Sequence, residues 1–282
     1  MGVTVASATM SCGHEVRWVA DGRSPETADR AAAAGLTTCA ELVDGVRDAD
    51  VVVSVCPPAA VLDVARSVAA TGFTGIYLDA NAIAPSTARQ VAAVAGDAGA
   101  RPVDGGIVGP PAHRPGTTRL YLSGDGAETV ADLFAGSKLE PVVIDGPVGA
   151  ASATKVAYAA WTKGSAALLL AVAAYAEREG VPDVLAAEWA RSQPDLADRL
   201  VRTAAGSGPK AWRFAGEMAD SARAFAEAGL PDGFAAAAAE VYERLAVFRG
   251  RSEVGVAEAV AAVCGGVDLT AGPSRGGSVP LG

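Results

Sequence analysis

The sequence predicts an α/β chain. A doubly wound parallel sheet occupies residues 1–145, an all-α domain residues 146–248, and a weakly structured tail residues 249–282. Three observations predict this division. Short apolar runs, several bounded by Pro or Gly, alternate with Ala-rich helical stretches as far as Asp145, the pattern of strands buried on both faces. Strand signals then stop at Gly146, and helical periodicity takes over. Beyond Gly265 the chain is rich in Gly, Pro and Ser and carries too little apolar surface to order itself.

Strands are expected at 15–19, 51–56, 75–79, 101–104, 119–123 and 141–145. Ligands in such sheets bind at the carboxyl ends of the strands, so the residues just after each strand carry most weight. A long helix is expected from Ala150 to Ala176, stopped by Gly180 and Pro182. At 1.5 Å per residue it would run roughly 45 Å. Lys163 and Gly164 interrupt its apolar run, which favours a core helix over a membrane span. Further helices are expected at 184–192, 196–205, 210–228 and 234–248, with a weak one at 254–264. Within 210–228, Trp212, Ala215, Met218, Ala222, Phe225 and Ala226 form a core stripe opposite Arg213, Glu217, Asp220 and Arg223.

The formal net charge is −9 over 282 residues, which argues against a nucleic-acid partner. Four scattered cysteines without a C-x-x-C pair, and only two histidines, give no metal site. Reduced thiols and the lack of a leader-like segment point to the cytoplasm.

The chemistry is concentrated in Gly146-Pro147-Val148-Gly149-Ala150-Ala151-Ser152-Ala153-Thr154-Lys155, a small-residue turn opening the long helix. Lys155, Tyr158, Ala159 and Thr162 share one face of that helix. A lysine buried there has its pKa lowered toward working pH, as proton transfer requires. The alternative is a lysine that snorkels from a helix end.

The order and spacing of several such motifs over residues 1–248 resemble the β-hydroxyacid dehydrogenase and 6-phosphogluconate dehydrogenase-like superfamily, in the bacterial branch with a C-terminal helical domain of unknown function. The resemblance implies a Rossmann-like nucleotide-binding domain followed by a helical substrate and dimerisation domain. The family's G-x-x-G-x-G-x-x-x-K-x-x-x-N segment falls on Gly146, Gly149, Ala151, Lys155 and Ala159. It implies Lys155 as general acid/base for a hydroxyl proton, and it lacks the family's asparagine at Ala159; Tyr158 and Thr162, on the same helix face, are the candidates for the substrate side. Val103 to Pro111, followed by Gly116-Thr117, resembles the D-A-P-V-S-G-G…G-T loop that holds a substrate carboxylate. Gly109 keeps its place there, while Val108 and Pro110 replace the serine and the last glycine.

Two further strand ends resemble the family's cofactor contacts. Leu78-Asp79-Ala80-Asn81-Ala82-Ile83-Ala84-Pro85 matches D-x-S-T-x-x-P and implies Asn81 beside the nicotinamide or its ribose. Val53-Ser54-Val55-Cys56-Pro57-Pro58 implies Cys56 and Pro57 along the adenosine half, Cys56 as packing and not as a nucleophile. Asp21-Gly22-Arg23-Ser24 resembles the N-R-[ST] signature for NADPH, Arg23 and Ser24 taking the 2′-phosphate, while Asp21 argues for NAD.

The glycine-rich G-x-G-x-x-G motif does not occur. By the family's spacing Met1-Gly2, Ala6 and Gly13-His14-Glu15-Val16 correspond to the end of the glycine loop and the segment after it. The expectation is therefore a chain that starts within that loop, without its first strand and with residues 3–12 helical. The alternative makes 3–6 the first strand, since Val3, Thr4 and Val5 are β-branched. The function implied is NADPH-dependent hydride transfer to or from a small hydroxy or carbonyl compound, at a cleft between the domains of a possible homodimer. Rival readings are an imine reductase, from which Lys155 discriminates, and an inactive or binding-only protein.

Overall fold

The computed structural model describes residues 1–265. The described residues divide into two compact units: Met1–Tyr158 with Arg223–Gly229, and Ala159–Ala222 with 230–265. The first unit runs α1 (Gly2–Ser11), β1 (Arg17–Val19), α2 (Pro25–Ala33), β2 (Thr37–Cys39), α3 (Leu42–Val46), β3 (Val51–Ser54), α4 (Val61–Ala70), β4 (Ile76–Asp79), α5 (Pro85–Asp97), β5 (Arg101–Val108), β6 (Thr118–Ser123), α6 (Ala127–Asp132) and β7 (Leu139–Val143). The architecture is the expected Rossmann-like α/β sheet followed by helices.

The strands β1 and β2 form a parallel pair, and β3-β4-β5-β6-β7 form a separate five-stranded sheet. Neighbours in the larger sheet are parallel, except that β5 and β6 are antiparallel. That exception corrects the all-parallel expectation. It arises because the chain returns from Val108 to Thr118 through a loop, and with no intervening helix it can only come back as an antiparallel neighbour. Helices cover both faces of the sheet. Ile76 and Leu78 pack with Val5, Val130 and Phe134 on one side, while Tyr77 packs with Val61, Val68 and Val91 on the other.

The helix α1 covers residues 3–11 of the expected 3–12, and the alternative first strand is not formed. Within α1 the hydroxyls of Thr4, Ser7, Thr9 and Ser11 bond back to carbonyls three or four residues earlier, and tertiary burial overrides the β-branched preference of Val3, Thr4 and Val5. Val5 and Ala8 bury against the sheet. The pair Gly105-Gly106, read from sequence as part of a Gly/Pro loop, lies inside β5, which is twice the expected length. Glycine serves there for close approach on both sides of the strand, not for a turn. A Cβ on Gly105 would come within 2.9 Å of the Asp79 carbonyl oxygen, and one on Gly106 within 2.7 Å of the Ala151 carbonyl oxygen. The short strand β2 is missed from sequence because Thr37-Thr38-Cys39 buries too little to show periodicity.

α7 (Ala150–Arg178) starts in the first unit, and its residues from Ala159 on belong to the second. There follow α8 (Pro182–Ser192), α9 (Leu196–Ser207), α10 (Ala211–Glu227), α11 (Gly233–Leu245) and α12 (Val256–Val263). The core of this unit gathers Leu170, Met218, Tyr242, Leu245 and Phe248. Lys163 pairs with Glu217 and lies 5.0 Å over the Phe214 ring, and the Tyr242 hydroxyl donates to the Lys163 carbonyl at 2.9 Å. The charge that interrupts the apolar run is thus neutralised within the unit. By length and composition alone α7 could cross a membrane; Leu169 and Leu170 are buried, whereas Trp161, Leu168 and Tyr175 are exposed.

One expectation is corrected. The buried face of α10 is Ala211, Met218, Ser221 and Ala222, whereas Trp212 is 43% exposed. The stripe is turned by about one residue, and Trp212 instead receives the Arg249 guanidinium 4.3 Å over its ring. The weak helix expected at 254–264 is present as α12, with Ala259, Val260, Ala262 and Val263 in the helical core. Arg178 and Arg244 donate to the Cys264 and Val263 carbonyls at its end. The expected tail from 266 on lies outside the described residues.

Candidate active site

Lys155 owes its place to the way α7 begins. The Gly146-Pro147-Val148-Gly149 turn offers no Ser, Thr, Asp or Asn at the helix start, so the first amides need a partner from elsewhere. Asp104, buried on β5, supplies it. One carboxylate oxygen accepts from the Gly149 and Ser152 amides, both at 2.9 Å, and the other accepts from the Ser152 hydroxyl at 2.6 Å. The Ser123 hydroxyl donates to the same carboxylate at 3.3 Å and accepts the Ala151 amide at 3.1 Å. A buried carboxylate is stabilised in this position by the helix N-terminus and by several donors together.

One turn on, the half-buried Lys155 donates from Nζ to the Ile107 carbonyl at 2.6 Å. Ile107 is three residues beyond Asp104 on β5, so one strand holds both the helix start and the amine. Gly106 between them lets the helix lie against the strand, since a Cβ there would also approach Lys155 Cβ to 3.3 Å. Tyr158 is 53% exposed, and Thr162, half-buried, belongs to the second unit. Ala159, where the family has asparagine, is buried. Val108 is buried at the end of β5, and the Pro110 carbonyl accepts the Thr118 hydroxyl at 2.6 Å. Gly109 is exposed with φ +123, a backbone that needs glycine.

The residues expected to contact a nucleotide lie mostly at the carboxyl ends of β1, β3 and β4. The Cys56 amide donates to Asn81 Oδ1 at 2.6 Å, while Asn81 Nδ2 donates to the Ser54 hydroxyl at 3.0 Å and to Asp79 at 3.1 Å. Asn81 therefore clamps the ends of β3 and β4 together, with its two amide hydrogens already engaged. Burial pushes the Cys56 thiol up, the Asp79 charge adds to the rise, and the Ser54 hydroxyl and the Arg23 charge oppose it. Arg23 and Ser24 are exposed, Ser24 at the start of α2 with its hydroxyl 3.3 Å from that of Thr27. Pro57 is exposed and leads into a 3-10 turn. Gly2 opens α1, which has no side-chain cap, and a Cβ there would lie 3.7 Å from Val55 on β3's extension. An uncapped helix start, an exposed guanidinium and two strand ends fit a dinucleotide's phosphates and ribose.

Asp79 links the two halves. It is paired in register with Asp104 and accepts the Asn81 backbone amide at 3.0 Å. Burial raises its pKa from 3.8 to about 6, against the lowering effect of the Asn81 hydrogen bonds, and the Asp104 charge adds to the rise. Between about pH 4 and 6 the unfolded carboxyl releases its proton while the folded one keeps it. The contribution to stability is therefore full below pH 4 and is lost as pH rises through 6. Asp79→Asn should remove this slope, so its stability relative to wild type should rise by roughly 2–3 kcal/mol between pH 4 and 7. Urea midpoints across that range check it; parallel curves for the two proteins would contradict the assignment.

The sequence reading missed Asp104, Ser123 and Ser152 at this site. A signal was present: a long helix with no N-cap residue of its own needs a carboxylate from another element.

Residues 1–135 match the NAD binding domain of 6-phosphogluconate dehydrogenase, and residues 176–245 match a domain of unknown function. An uncharacterized 28.5 kDa protein from Methanothermus fervidus is 31% identical over 172 residues, which span 61% of this chain and 65% of that protein's length. Among solved structures, a conserved protein of unknown function, described as structurally similar to 3-hydroxyacid dehydrogenases, is 28% identical with TM-score 0.69, covering 87% of this chain and 93% of that one. The 3-hydroxyisobutyrate dehydrogenase of Mycobacterium tuberculosis, solved with L-serine, shares the fold at 20% identity and TM-score 0.67, covering 92% and 94%.

Proposed function

We propose that this chain, which belongs to the 6-phosphogluconate dehydrogenase-like NAD-binding superfamily and carries the family's C-terminal domain of unknown function, is an NADPH-dependent oxidoreductase of a small hydroxy or carbonyl compound. The observation that carries the reading is Lys155, held by its Ile107 contact on a helix whose start is anchored to the same strand. A bound nicotinamide supplies the hydride donor or acceptor. Lys155 gives a proton to the substrate oxygen as a carbonyl is reduced, or takes it as an alcohol is oxidised. The Ile107 carbonyl keeps the amine aimed while it waits. Gly2 and the first turn of α1, with Cys56 and Pro57, would hold the nucleotide; Arg23 and Ser24 would hold its 2′-phosphate. Asn81 orders that surface through its clamp on the Cys56 amide.

The substrate side lacks the family's acid-binding serine and last glycine, at Val108 and Pro110, and its substrate-holding asparagine, at Ala159. This favours a substrate without a carboxylate, and it keeps an imine reductase as the second reading. We assign the sheet-containing unit to the cofactor, and the helical unit to substrate and to a homodimer contact. The exposed Trp161, Leu168 and Tyr175 of α7 support that contact, and the free cysteines accord with a cytoplasmic setting.

The test is cofactor titration, followed by a screen of small ketones, aldehydes, hydroxy acids and imines for NADPH turnover. Failure to bind either cofactor would remove the proposal. Arg23→Ala should weaken NADPH binding by about 1.5–3 kcal/mol, the range of charge-assisted hydrogen bonds, and leave NADH little changed. Equal losses for both cofactors would show that Arg23 does not read the phosphate.

A further inference from the structure

We infer that Asp104 is the positioning residue for Lys155: its buried carboxylate fixes the first turn of α7 on β5 and thereby sets where the amine stands along that strand. Four donors converge on the carboxylate, namely the Gly149 and Ser152 amides and the Ser152 and Ser123 hydroxyls. Three of them belong to the turn and helix that carry Lys155. The fourth, Ser123 from β6, also takes the Ala151 amide, so a second strand backs the same anchor. Ser152 and Lys155 are three residues apart, one turn of helix, and Asp104 and Ile107 are three residues apart on β5. Helix and strand are therefore pinned at two points with Gly106 between them, and loss of the first pin frees the second. Asp104 itself takes no part in proton transfer.

The inference rests on the proposed role of Lys155, so its test reads the position of the amine without turnover. Trace acetylation by acetic anhydride, followed by peptide mass spectrometry from neutral to alkaline pH, reports how available each amine is. The chain has four lysines, Lys138, Lys155, Lys163 and Lys210, so three serve as internal references. Ser152→Ala removes the shortest bond to Asp104 with little change of shape; Asp104→Asn removes the charge. Both should raise the labelling of Lys155 relative to Lys138 by about tenfold, the weight of one lost charge-assisted hydrogen bond. Lys163, held by Glu217, should be unchanged. Once a substrate is in hand, both should lower kcat and leave the KM for NADPH alone.

Should Asp104→Asn fail to fold, Ser152→Ala decides the matter. Wild-type labelling of Lys155 in folded Ser152→Ala would overturn the inference. If Lys155→Ala retains full turnover while the labelling change is seen, the acid/base reading falls and the positioning by Asp104 stands.

Discussion

Lys155→Ala is expected to reduce kcat by about a hundredfold or more, the usual weight of a positioned general acid/base. Alanine is the best helix former, so α7 should persist, and the nucleotide-side residues on β1, β3 and β4 are untouched. Cofactor affinity should therefore stay nearly the same. Lys155→Arg sharpens the test, because a guanidinium keeps the charge but does not release its proton at working pH. It should fail almost as badly as alanine. If Arg restored turnover, the amine would be acting as a fixed charge and not as a proton carrier. An unchanged kcat in Lys155→Ala would remove the assignment altogether.

The residues that could be read from sequence are those whose local pattern carries their role. Apolar runs such as Val51-Val52-Val53 and Ile76-Tyr77-Leu78 gave strand positions because strands buried on both faces need such runs. The long helix and Lys155 near its start were legible for the same reason. Position-specific roles set by distant partners were not. Asp104 meets Gly149 and Ser152, which lie 45 and 48 residues later. Gly105-Gly106 carries a turn-like signature, yet its reason is crowding from β4 on one side and α7 on the other. Trp212 reads as core by its size and spacing, but the helix turns it out to meet Arg249. Asn81 was legible as a residue at a strand end, whereas its engagement with Ser54, Cys56 and Asp79 required the fold.

Gly106→Val is expected to have the largest structural effect of any single change at this site. A Cβ at Gly106 stands 2.7 Å from the Ala151 carbonyl oxygen and 3.2 Å from its carbon, both backbone atoms that no side-chain rotation can clear. The helix start must then lift from β5. That movement stretches the bonds from Gly149 and Ser152 to Asp104 and draws the Lys155 amine from Ile107, so packing and the proposed proton transfer should fail together. Overpacking usually costs about 1–3 kcal/mol. Gly106→Ala should fall in that range, and Gly106→Val, with two more methyl groups, should exceed it and abolish the proposed activity. Gly96 provides the contrast: it lies exposed near the end of α5 with nothing within 4 Å of an added Cβ. Gly96→Ala should be neutral or stabilising by up to about 1 kcal/mol, since alanine is favoured over glycine in a helix. Urea unfolding of the three variants, with Lys155 acetylation as the local probe, separates the effects. A Gly106→Ala protein as stable as wild type, with Lys155 no more reactive, would mean that α7 does not depend on this bare stretch of strand for its seat.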